Sequence, residues 1–308
     1  MTEHVVVRLS HMLAAGLVVA LSVHTEAPPV FDAHVHLWNG EESLRTYEEQ
    51  LRAGGLNLVG FGGMWFGGPN QALAGDPQRM QAGNDGVIVM AARHPEMMPI
   101  ATVHPYDGPT AVAELERVAA KGTKVLKLHS HTQEFDPADP RVFTLIRRAG
   151  ELGLIVLVDN ASIIPGDCEK VFNLALAAPK TTLIFAHLGG MNFRFWNILK
   201  AARTAEGLFA NNIYFDISAI VVIVADSPIK EEFVWTMRNV GIDHILLGSD
   251  YPQYTLEQNV GALDRLSLDE GEKAKIRLLN AQRLFELTSP RRQASASPST
   301  PERAANGR

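Results

Sequence analysis

The sequence predicts a single (β/α)8 barrel, on three observations. Eight short β-rich runs alternate with longer helical stretches. Polar side chains fall on one parity of those runs, and imidazole and carboxylate groups gather at their C-terminal ends. Strands separated by helices pair in parallel, because a parallel return needs a crossover. Eight such units close on themselves, and roughly 250 residues suffice. The alternative, an open doubly wound sheet, would place a glycine-rich nucleotide loop after its first strand, and this chain has none there.

The first run is "PVFDAHVHL" (29–37). Alternate side chains of a strand share a face, so Asp32, His34 and His36 are expected together on one side. After "LNLVGFGG" (56–63), the loop "GFGGMWFGGPN" sets Met64, Trp65 and Phe66 between glycines. It reads either as a lid over an apolar part of a substrate or as a loop packed on the barrel top. "MMPIATVHP" (97–105) gives Thr102 and His104 one parity, with His104 read as a satisfied structural residue. The helix "TAVAELERVAAKG" (110–122) leads to "KVLKLHS" (124–130), where Leu126 and Leu128 suit the helix layer and Lys127 and His129 the lumen.

The helix "PRVFTLIRRAGELG" (140–153) precedes "LIVLVDN" (154–160), which is apolar up to Asp159. "TLIFAHLGG" (182–190) puts His187 on the parity of Leu183 and Phe185. "IYFDIS" (213–218) aligns Tyr214, Asp216 and Ser218, and "SPIKEEFVWTMRNVG" (227–241) leads to "HILLGSDYP" (244–252) with Asp250 near its end. These helices end on glycine, as helix C-termini do. Seven of the eight runs carry His or Asp near their C-terminal ends, at the rim where barrel enzymes build their sites.

Composition fits one soluble domain: 46% hydrophobic, 20% charged, net charge −6 and pI about 6.0. That balance gives no footprint for nucleic acid. The single cysteine, Cys168, excludes an internal disulfide and a cysteine-built zinc site. Residues 1–27 carry an apolar run from Met12 to Val23, followed by "TEA" and two prolines. They read as a secretory signal peptide, or else as an extra N-terminal helix or a misassigned start. The first reading implies a periplasmic or secreted protein and the others a cytoplasmic one. The run is too short for a membrane span, so no membrane partner is expected. Residues 289–308, rich in Ser, Pro, Ala and Arg, are expected to be a disordered tail. The barrel then occupies 28–288, and oligomeric state stays open, a homo-oligomer included.

Two imidazoles at i and i+2 on a strand can hold one metal ion from the same side. Asp250, on the last strand, lies beside the first once the barrel closes. It can reach that ion and accept a proton from bound water, with His187 nearby on the same rim. Asp32 either orients a ligand histidine or supports the strand, the second being favoured.

"DAHVHLW", "FAHLGG", "LLGSDYP" and "NAQRLFEL" together resemble the amidohydrolase superfamily. More narrowly they resemble its amidohydrolase-related branch, which includes sugar lactonases, hydratases and aminocarboxymuconate semialdehyde decarboxylase. The resemblance covers 30–287 in the right order. It implies a distorted barrel with one divalent metal, zinc foremost and manganese or iron as alternatives. It implies His34 and His36 as ligands, Asp250 as ligand and proton acceptor, and His187 as acid–base group or further ligand. Strand five of this branch usually ends in a metal-binding histidine, and here Asp159 or Asn160 stands there. Either Asp159 binds the metal as a carboxylate, or His129 supplies the missing imidazole, or the metal is held weakly. The resemblance also offers Lys127 as a carboxylated bridge, against the simpler reading of a buried hydrogen-bonded ammonium.

The expected function is a metal-dependent hydrolase of a small ester, lactone or amide, using metal-activated water with Asp250 and His187 as acid–base groups. Lys127, His129, Trp65 and Arg194 are the candidate substrate contacts, although Arg194 also suits an exposed helix surface. The alternatives are a non-oxidative decarboxylase of a small carboxylic acid and a non-catalytic metal- or ligand-binding barrel.

Overall fold

A computed structural model describes residues 27–287. The disordered-tail expectation, and all of the signal-peptide segment except Ala27, lie outside the described residues. Strands β1 (Pro29–His36), β2 (Asn57–Met64), β3 (Met97–Thr102), β4 (Val125–Leu128), β5 (Ile155–Val158), β6 (Leu183–Phe185), β7 (Ile213–Asp216) and β8 (Ile245–Leu246) pair in parallel in chain order. The seam closes between β8 and β1. Ala33 N–H donates to Leu247 O at 3.0 Å, Asp250 N–H to His34 O at 2.9 Å and His36 N–H to Tyr251 O at 2.8 Å. The predicted eight-stranded barrel is the fold.

Helices α1 (Glu41–Ala53), α2 (Pro77–Arg93), α3 (Pro109–Ala120), α4 (Pro140–Glu151) and α5 (Asp167–Ala177) follow the first five strands. The short α6 (Ile198–Ala202) follows β6, and α7 (Ile220–Val224) and α8 (Lys230–Val240) follow β7. After β8 come α9 (Leu256–Asp264), α10 (Glu270–Ala274) and α11 (Asn280–Phe285). Their starts are written locally: Asp76 and Asp139 cap α2 and α4 ahead of a proline, and Thr255 and Gln258 close a capping box on α9. Gly122, Gly153 and Gly241, each at positive φ, turn the chain away after α3, α4 and α8. Helix α4 buries Val142, Leu145, Ile146 and Ala149, the spacing of one helical face.

Below the rim the lumen is packed rather than open. Ala33, Met98, Ile100, Leu157, Ile184 and Leu246 fill it, and Phe285 closes the far end against Phe31 at a ring distance of 5.5 Å. Polar groups are therefore confined to the C-terminal mouth.

Two local irregularities depart from the expected parity. β1 carries one residue more than β2 between the pairs Asp32–Phe61 and Val35–Gly63, a β-bulge. It turns Asp32 away from the histidines and towards α1, where Tyr47 Oη–H donates to its carboxylate at 2.9 Å. The Ser249 and His34 N–H groups also donate to it, at 2.8 and 3.1 Å. Asp32 thus secures the seam and does not share the face of His34 and His36. The second irregularity shortens β6. His187, Leu188, Gly189 and Gly190 all take positive φ, so the chain leaves the strand in a left-handed turn. Leu183 and Phe185 pack outward in the helix-side core, whereas His187 swings into the mouth.

Candidate metal centre and active site

Three acceptor atoms converge at the seam. His34 Nε2 and His36 Nε2 lie 3.5 and 3.4 Å from the same oxygen, Asp250 Oδ1. The proton on each ring is fixed from behind. His36 Nδ1–H donates to Phe66 O at 2.6 Å, and His34 Nδ1–H donates to Asp216 Oδ2 at 3.1 Å. Each Nε2 therefore presents a lone pair, and burial keeps His34 neutral by lowering its pKa to about 4. Asp250 is held below the usual carboxylate range, since the histidines around it outweigh its burial. Two imidazole lone pairs and a carboxylate oxygen, mutually within 4.8 Å, need a positive partner. Metal–ligand bonds of about 2.1 Å would set tetrahedral donors about 3.4 Å apart, so the spacing fits a divalent ion. One donor, Lys127 Nζ, already approaches His34 Nε2 at 3.2 Å.

Asp216 completes the support. It is fully buried and accepts from His34 Nδ1, from Ser218 N at 3.0 Å, from His187 N at 3.3 Å and from Ser218 Oγ. It performs the orienting role that the sequence left open for Asp32.

A second array stands beside the first. His187 Nδ1–H donates to Ser218 O at 3.0 Å, and its Nε2 faces Asp159 Oδ1 at 3.4 Å. Burial opposes charge on this ring, but Asp159, Asp250 and Asp216 outweigh it and raise its pKa to about 9. These carboxylates favour the protonated ring, and His187 also belongs to a second group of converging ligand atoms, with His34 and Asp216. The other oxygen of Asp159 lies 3.7 Å from His129 Nδ1. Burial raises the Asp159 pKa, yet His129, His187 and Lys127 hold it well below the ordinary range. Asp159 lies outside every group of converging ligand atoms among the described residues. Its shortest charged contact is His187, because β5 stands across the lumen from the β1–β8 seam. Lys127 is wholly buried; desolvation lowers its pKa, against the pull of Asp159, Asp216 and Asp250.

These groups floor a cavity of about 450 Å³. His34, His36, Asp250, Lys127, His129, Asp159 and His187 line it, and Trp38, Ile163, Met191, Ile220 and Ile223 form its apolar walls. Two expected substrate contacts fall elsewhere. Trp65 lies against Gly83 of α2 and donates its indole N–H to Asn84 at 3.1 Å, so it anchors the loop to a helix. Met64 and Phe66 beside it are buried, as in a loop packed on the barrel top, and Gly67 and Gly68 of the same loop border the cavity. Arg194 makes a two-point ion pair with Glu232 on the surface, both contacts 2.6 Å. His104 is a satisfied buried residue, its Nε2–H donating to Gln133 O and its Nδ1 accepting from Tyr106 N–H. Sequence reading missed Trp38 as a cavity wall, although it directly follows the His-x-His motif.

A family model described as Amidohydrolase matches residues 31–287. The chain belongs to the amidohydrolase family. Searched against curated proteins, this amidohydrolase finds no match. Among solved structures it resembles a Staphylococcus aureus protein assigned as an amidohydrolase, with TM-score 0.67 and 19% identity over 85% of this chain and all of that one. The 5-carboxyvanillate decarboxylase of Sphingomonas paucimobilis matches with TM-score 0.64 and 16% identity over 86% of this chain and all of that one. A dihydroxybenzoic acid decarboxylase from Polaromonas, solved with manganese and 2-nitroresorcinol, matches with TM-score 0.58 and 15% identity, covering 85% and 97%. At such identities these likenesses establish the barrel fold and no more.

Proposed function

We propose that this amidohydrolase is a metal-dependent, non-oxidative decarboxylase of a small carboxylic acid. The observation that carries the reading is the pairing of an anion-binding floor with a proton donor. The His34–His36–Asp250 cluster suits a divalent cation beside the Lys127 ammonium, and His187 holds a proton on the atom facing Asp159. A divalent ion bound there supplies positive charge for substrate oxygens. Manganese, present in the Polaromonas neighbour, deserves testing alongside the zinc expected from sequence.

The chemistry asked of the chain is simple. His187 Nε2 gives its proton to the carbon that bears the carboxylate. The bond between that carbon and the carboxylate then breaks, its electron pair returns to the substrate, and carbon dioxide leaves. Asp159 holds the imidazolium in place, and His187 regains a proton from solvent through the cavity mouth. Lys127 offsets the charge of the entering acid. Hydrolysis, the first expectation from sequence, has less support, since several solved neighbours are decarboxylases.

Manganese-loaded protein should release carbon dioxide from members of a hydroxybenzoate panel in deuterium oxide, placing one deuterium at the vacated carbon. Labelled water oxygen entering an ester or lactone product, with no carbon dioxide from any acid, would overturn the reading.

A further inference from the structure

The cavity joins two chemistries that the proposed reaction does not require together. Its floor is polar, and its mouth carries large apolar side chains that face water. Ile163, Met191 and Ile223 are 78%, 56% and 52% exposed, yet all three line the same cavity as His36 and Asp250. They come from the chain segments following β5, β6 and β7, so one side of the barrel mouth is greasy.

Local backbone geometry shows that this rim is built. Ser162, just before Ile163, has φ of 52°, and Ala219, just before Ile220, has φ of 60°. A left-handed conformation is costly for a side-chain-bearing residue and persists only where its surroundings hold it. Ala219 is so held, its N–H donating to the buried Asn259 at 3.1 Å. Gly190, just before Met191, has φ of 55°, and a Cβ there would stand 2.1 Å from Ala161 O, so the β5 and β6 loops touch where the rim begins.

Charge completes the picture. No arginine lines the cavity, and its one lysine, Lys127, is at the floor against His34. A substrate's first carboxylate finds that lysine and the acceptor-lined cation site. His129, His131, Gln253 and Trp38 supply the polar groups of the other walls. A second carboxylate set against Ile163, Met191 and Ile223 meets no ammonium or guanidinium, and it gains nothing by displacing water from them, whereas an apolar tail does.

We infer that the substrate is a monocarboxylic acid whose remainder is apolar and runs from the floor out along Ile163, Met191 and Ile223. The inference rests on the decarboxylase reading for the end that carries the carboxylate. The apolar rim sets specificity. Benzoate and its para-alkyl derivatives, from methyl to hexyl, are the probes, with terephthalate as the dicarboxylate.

Binding is measured calorimetrically on the full-length manganese-loaded protein. Affinity should rise about fourfold per added methylene until the tail leaves the rim, and terephthalate should bind at least tenfold more weakly than para-butylbenzoate. Ile223→Asp and Met191→Asp, both at exposed positions, should flatten the chain-length dependence, lowering para-hexylbenzoate affinity far more than benzoate affinity. A flat series in the wild type, terephthalate matching the alkyl acids, or equal loss of benzoate binding in the variants would overturn the inference. So would a dimer in sedimentation that either aspartate variant dissolves, since a second copy would then cover the rim. Carbon dioxide release is scored separately. Tail-dependent binding without release refutes the reaction and keeps the specificity, and release without tail dependence does the reverse.

Discussion

Asp216→Asn isolates the claim that His34 is a metal ligand only because its proton is fixed elsewhere. The carboxylate has two loaded sides: Oδ1 accepts from Ser218 N, Ser218 Oγ and His187 N, and Oδ2 accepts from His34 Nδ1. Asparagine keeps a single acceptor oxygen. Three donors hold that oxygen at the Oδ1 position, which turns the amide NH2 towards His34. His34 Nδ1 must then become the acceptor, and its proton moves to Nε2, the atom facing Asp250. A ligand lone pair becomes a donor. Loss of such a partner typically costs 10–100-fold in metal affinity, about 1.4–2.7 kcal/mol. Folding should lose only about 1–3 kcal/mol, because the amide still satisfies the Oδ1 side. The assay is competition for manganese or zinc against a chromogenic chelator, with thermal unfolding recorded on the same samples. Wild-type metal affinity in a folded Asp216→Asn protein would refute the reasoning.

Replacing His34 and His36 together by Ala should abolish stoichiometric metal binding while circular dichroism stays that of the barrel; a full metal content in that variant, read by mass spectrometry, sinks the site. Asp159→Asn should leave metal content unchanged and lower turnover about 10²-fold through loss of the His187 partner; a matching fall in metal content would return Asp159 to the cradle. Trp65→Ala should cost about 2–3 kcal/mol of stability in denaturant titration with KM unchanged, since the indole packs on Gly83 and Asn84. Cys168 is buried, and burial raises its thiol pKa to about 11, so iodoacetamide at pH 8 should label the native protein far more slowly than the unfolded one, as read by intact mass.

Much of the fold is legible because its signals are local. Strand alternation, Asp-Pro helix starts and glycine helix ends depend on neighbours a few residues away, and the structure repeats them. What escaped depends on pairing across the chain. The bulge that turns Asp32 outward comes from a mismatch of β1 with β2, which no single strand displays. His187 breaks parity because four successive residues go left-handed, and only the two glycines of "HLGG" hinted at it. Parity placed Asp216 inward, but its hold on His34 needs β7 and β1 to come together on either side of β8. Trp65 and Trp38 are equally conspicuous in sequence, and only loop packing decides which one borders the cavity.

The seam has a consequence for how the protein comes into being. Asp32 and Ser249, bonded across it, are 217 positions apart, and Asp250 joins His34 and His36 at the same place. The cradle is therefore split between the first and last strands to leave the ribosome. A nascent chain holds two imidazoles from early on and has no third ligand until its final strand is made. A divalent ion held there would act as a clasp on the finished ring. Because the entropy of closing so long a loop grows only with the logarithm of its length, that clasp would stabilise the whole barrel at little more cost than it would a hairpin.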